Sequence, residues 1–178
     1  MRRVVRRFAA VSGLLALSLC AVAQESGSAP RPPRTVAQVM TEGWQEIGNK
    51  LVEIAREFPE DKYNYKPTPE VRTFAEQIVH AATGNVYVAK IARGEKAEYA
   101  ELERSKYPAK SDVVSLLKQS VDELSAILKS QADEQMKKRP GLWVGFLEHA
   151  GEHYGQLVVY YRLNGIVPPE SRPKPKSD

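Results

Sequence analysis

Residues 141–164 read GLWVGFLEHAGEHYGQLVVYYRLN, and within them Leu142, Phe146, His149, His153, Leu157 and Tyr160 recur at spacings of three and four. That is the period of a buried helical face. Pro140 precedes the run, Asn164-Gly165 ends it, and Pro168 and Pro169 bar its continuation. The stretch is therefore a long amphipathic helix with two histidines at the centre of its apolar stripe. Positions i and i+4 share a face, so the imidazoles of His149 and His153 converge on one point. A buried polar ring needs a partner, since an unpaired one costs roughly 1–3 kcal/mol. A shared cation is one such partner; a carbonyl, or the hydroxyl of Tyr154, Tyr160 or Tyr161, is another.

Three more periodic segments precede this helix. The first runs from Val36 to Phe58, with Val36, Met40, Trp44, Ile47, Leu51, Ile54 and Phe58 alternating steps of four and three, and Pro59 closes it. The second runs from Thr73 to Ala92 and stops at Gly94. The third starts near Ser111, read as its N-cap, and carries Val114, Leu117, Val121, Leu124 and Leu128. Between the first two, Lys62 to Pro69 is too proline-rich for a helix, and its Tyr63 and Tyr65 are expected to pack down. The connection from Gly94 to Lys110 is long and charged, which permits a crossover and leaves room for a short helix. No segment reads as a strand. Four helices of about 20 residues make an all-α four-helix bundle, with Trp44 and Trp143 assigned to core or dimer packing.

Compartment follows from the N-terminus. Arg2, Arg3, Arg6 and Arg7 precede an apolar run from Phe8 to Leu19, and Ala21-Val22-Ala23 supplies small residues for cleavage. Residues 1–23 thus read as a signal peptide, whose apolar run falls short of the roughly 20 residues that span a bilayer. The expectation is export to the periplasm or the medium, by the Sec or twin-arginine route, with no stable membrane insertion after cleavage. Four of the 26 basic residues lie in that segment, leaving 22 against 22 acidic ones. The mature chain is formally neutral, and nothing supports an electrostatic footprint for nucleic acid. It also loses Cys20, the only cysteine, so thiolate ligands, disulfides and a cysteine nucleophile are excluded. Residues 24–34 read as a flexible linker, 35–169 as the folded unit, and 170–178 as a disordered tail.

His80 is the third and last histidine. The apolar centre of the second helix is set by Phe74, Ile78, Ala81, Val88 and Ala92, and His80 falls on its flank with Gly84, Tyr87 and Ile91. A flank is where a bundle helix meets its second neighbour, and Gly84 one turn on permits close approach. By pattern alone, His80 is equally readable as a boundary residue touching water. Glu76, one turn before His80, and Glu152, beside His153, are the acids nearest in sequence. They are candidates for proton transfer or for orienting a ligand, or else for a solvated helix face. A ferritin-like di-iron centre is disfavoured because no Glu-x-x-His pattern exists.

The segments Phe58-Pro59-Glu60-Asp61-Lys62-Tyr63-Asn64-Tyr65-Lys66-Pro67, Arg72 to His80, His149 to Leu157, and Tyr161-Arg162-Leu163-Asn164-Gly165-Ile166-Val167-Pro168-Pro169 resemble, in order, the DinB/YfiT family of proposed metalloenzymes. The resemblance implies an up-down-down-up four-helix bundle, often dimeric, that binds one divalent metal through three histidines. Carried onto this chain, the ligands are His80, His149 and His153. Zinc or nickel is the expected ion, with iron, copper and manganese as others that such a donor set accepts. Three protein ligands leave a position for water or substrate, which points to hydrolysis of a small molecule. The alternatives are a non-catalytic metal-binding or structural bundle, and a thiol-dependent transferase like some cytosolic relatives.

Overall fold

The computed structural model describes residues 33–173. The signal peptide, nearly all of the linker and the last five residues of the tail lie outside them. The described residues are helical, with no strand. The long helices are α1 (Val36–Glu57), α2 (Phe74–Ala92), α3 (Lys110–Ser130) and α5 (Pro140–Leu163); a short α4 (Asp133–Lys137) precedes α5, and single 3-10 turns cover Glu60–Lys62, Arg104–Lys106 and Pro169–Ser171.

Capping residues set the helix starts. Thr35 with Gln38, and Thr73 with Glu76, form reciprocal capping boxes on α1 and α2. Ser111 is not the N-cap of α3. The helix begins one residue earlier, and the Asp112 carboxylate accepts from the Ala109 N–H at 2.9 Å, so an acid in the first turn does the work expected of the hydroxyl. The short α4 escaped sequence reading because its role is tertiary: Asp133 reaches across to accept from the N–H groups of Val36 (3.2 Å) and Ala37 (2.7 Å) at the start of α1. Gly165, at φ +71°, takes the left-handed turn that ends α5.

Packing is diagonal. Helices α1 and α2 each lie against both α3 and α5, and hardly touch one another. The α2–α5 seam therefore forms one side of the bundle. At one part of it Phe58 stacks on Phe74 with ring centroids 3.8 Å apart, and Tyr160 and Tyr161 pack edge-on or tilted against Phe74. The proline-rich loop before α2 is pinned there, as expected of its tyrosines. Tyr63 is buried and donates to the Ala55 carbonyl, while the Tyr63 and Tyr65 carbonyls accept from the N–H groups of Ala75 and Phe74 at 2.9 and 3.1 Å. Trp44 is fully buried against Phe146. At the other terminus, Arg172 pairs with Glu57 of α1 at 2.5 Å. No helix among the described residues is long and apolar enough to cross a membrane.

Candidate metal centre

Further along the same seam, the three histidines meet. His80 projects from α2, and His149 and His153 from successive turns of α5; one ligand atom from each lies within 4.8 Å of those of the other two. The Nε2 atoms of His149 and His153 face each other at 3.0 Å. Two donors on a single ion sit roughly 3.0–3.4 Å apart, so the spacing fits one shared ion as well as a hydrogen bond between the rings. Such facing lone pairs repel without a common proton or cation. Gly84 makes the room: a Cβ there would stand 2.5 Å from His149 Cε1, so the flank glycine lets the α5 ring lie on the α2 backbone.

The outer imidazole nitrogens of His80 and His153 are held. His80 Nδ1 lies 3.0 and 2.9 Å from the two Glu101 oxygens, and donating its proton there leaves the Nε2 lone pair for an ion. Tyr99 donates to Glu101 at 2.8 Å and sits 3.1 Å from the same nitrogen. His153 Nδ1 is 3.0 Å from Gln156 Oε1, and the Gln77 amide lies against it and donates to Gln156 at 2.6 Å. These four residues were missed from sequence. Gln77 and Gln156 had a findable signal, since each lies three positions from a histidine and so on the same helical face. Glu101 and Tyr99 had none. They sit in the aperiodic connection after α2, where a bond from the Leu102 N–H to Thr83 Oγ1 at 3.1 Å ties the backbone to α2.

Electrostatics suit a cation. Burial, followed by the proximity of His153 and His80, pushes His149 down to about 4. Burial also lowers His153, against the opposing bond from Gln156. Both rings therefore present lone pairs at neutral pH, the form that ligates. Burial raises Glu101, yet bonds from His80 and Tyr99 hold it below the usual carboxylate range overall. The donor set, its spacing and its outer carboxylate all fit a divalent ion.

The two acids singled out from sequence lie elsewhere. Glu76 spends its carboxylate on the Thr73 N–H at 2.6 Å, closing the α2 cap, and that bond lowers its pKa. Glu152 is exposed and reaches His153 only through a weak Coulombic pull. Beside His149 opens a cavity of about 330 Å³ lined by Gly84, Tyr87, Tyr99, Leu142 and Phe146, largely apolar and within the size range of small-molecule sites.

A search against curated proteins gave no significant match. A family model described as the DinB superfamily matches residues 44–160, a span that holds all three histidines, both glutamines and Glu101. The chain belongs to the DinB superfamily.

Proposed function

We propose that this is an exported DinB-like metalloprotein in which His80, His149 and His153 hold one divalent ion, zinc or nickel by preference, for hydrolysis of a small molecule. The observation that carries the reading is the meeting of three imidazole edges, with the outer nitrogens of His80 and His153 already engaged by Glu101 and Gln156. When bound, the ion supplies Lewis acidity and lowers the pKa of the water it holds towards about 7. The chain's own residues do the rest. Glu101 fixes the His80 tautomer and raises its basicity, the orienting role for which Glu76 and Glu152 were candidates. Gln156, braced by Gln77, does the same for His153. Gly84 keeps the cavity side of His149 accessible to substrate. That open side favours a catalytic over a closed structural site. The reading includes the family's up-down-down-up helix order, which the long 93–109 connection supports by letting α2 and α3 run alike, and a homodimer.

Metal analysis by mass spectrometry tests it, on periplasmic protein purified without affinity-tag metals. Stoichiometric ion in the wild type, lost in both His80→Ala and His149→Ala, is expected. A wild type that stays metal-free after reconstitution would refute the proposal. Size-exclusion chromatography of the same sample checks the dimer, and its N-terminal sequence checks cleavage after Ala23.

A further inference from the structure

His149 faces two ways. It meets His80 and His153, and its ring also lines the cavity of about 330 Å³ bounded by α2, α5 and the 93–109 connection. The wall at Gly84 is bare backbone, so near that a Cβ would stand 2.5 Å from His149 Cε1. Cavity and histidine cluster are therefore in direct contact, with His149 as their common wall. Facing it are the rings of Tyr87, Tyr99 and Phe146 and the backbone of Gly145. Tyr87 and Tyr99 meet with centroids 5.7 Å apart and planes at 73°, an edge-to-face pair. The Tyr99 hydroxyl donates to Glu101 at 2.8 Å, which anchors that wall to the carboxylate beside His80. Among the described residues, no Asp, Glu, Lys or Arg side chain lines the cavity. A charge carried into it would shed its hydration with nothing to pair with. A flat apolar ring would exchange water for three aromatic surfaces.

We propose that the substrate of this centre carries an uncharged apolar ring, which enters the cavity against Tyr87, Tyr99 and Phe146 while its polar reacting group lies at His149 and the ion. This deepens the metal-centre reading and rests on it only for the reacting group, because the site for the ring is built of protein alone. Tyr99 is then a specificity residue, its ring a wall of the slot and its hydroxyl the tie to Glu101. The volume sets the scale at a small molecule.

Isothermal titration of the full-length chain, with metal content measured, decides the matter. The probes are acetohydroxamate, benzohydroxamate and 4-carboxybenzohydroxamate, which share one metal-binding head and differ only in the body offered to the cavity. Benzohydroxamate is expected to bind about tenfold tighter than either of the others, or better. Gly145→Leu, which adds a side chain at the cavity wall where a Cβ meets nothing within 4 Å, should bring both ratios near one and leave metal content unchanged. Tyr99→Ala should lower them as well, whereas Tyr99→Phe keeps the ring and should keep the ranking. Ratios near one in the wild type, ratios unchanged in both Gly145→Leu and Tyr99→Ala, tightest binding of the carboxylate-bearing probe, or no binding of any probe would overturn the proposal. The two readings fail separately: the ring preference in a chain that takes up no metal after reconstitution sinks the metal reading alone, and bound metal without ring preference sinks this one alone.

Discussion

The α2–α5 seam carries two clusters built by opposite rules. Around Phe74, the three buried tyrosine hydroxyls each donate to a carbonyl: Tyr63 to Ala55, Tyr161 to Ile54 at 2.7 Å, Tyr160 to Arg72. Apolar faces stack, and nothing is left over. A turn or more further on, three imidazoles converge, those of His149 and His153 with their Nε2 atoms 3.0 Å apart, beside a glycine where a side chain would collide with His149. The first cluster is satisfied by protein carbonyls, whereas the second gathers three ring nitrogens that an added ion would engage. One seam thus separates what holds the fold from what the fold holds.

The sharpest way to break that division is to truncate the aromatic side. Phe74 is fully buried, and Phe74→Ala should cost about 3–5 kcal/mol through lost burial and the cavity left behind. Urea denaturation reads this, and the division predicts that any surviving folded fraction still binds metal one to one. On the histidine side, Glu101→Gln should lower metal affinity about 10–100-fold while shifting the unfolding free energy of the metal-free protein by no more than about 0.5 kcal/mol. Competition against a chromophoric chelator measures the first figure and thermal unfolding the second. An equal loss of both would erase the distinction.

Acid should discriminate between the clusters too. His149 sits near 4 in the folded chain against an ordinary 6.5, so the unfolded chain takes up the proton first as pH falls. Its contribution to stability is therefore complete above about 6.5 and is lost between about 6.5 and 4. Unfolding of the chelated protein at several pH values should show that decline, and His149→Gln should flatten it. The smallest effects come from the two acids proposed from sequence. Glu76→Ala should cost about 1 kcal/mol by opening the α2 cap and leave metal stoichiometry unchanged; Glu152→Gln should move stability by less than about 0.5 kcal/mol. A large loss of bound metal in either variant would place it back at the centre.

How far the sequence could be read follows from where periodicity ends. The four long helices were legible because their apolar residues recur with the helical period and their ends carry threonine, proline and glycine signals. The meeting of the three histidines was legible because two share a helix face and a family resemblance selects the third. Glu101 was not, since it is one acid among Glu95, Glu98, Glu101 and Glu103 in a connection without a period. Its selection is made by a single backbone bond to Thr83. The same holds for Asp133, whose function is to cap a helix nearly a hundred positions away. Glu76 illustrates the converse: the spacing that made it a candidate ligand-orienter is also the spacing of a capping box, and the nearer donor takes the carboxylate.

The places of the three histidines along the chain bear on when their cluster comes into being. His80 lies on the second long helix and its companions on the last, so the donors are assembled across the whole length of the chain. Partial chains lacking α5 own one imidazole, too few to form the cluster. The three-histidine cluster is thereby completed only when the last long helix is made, and any ion it holds would report that completion.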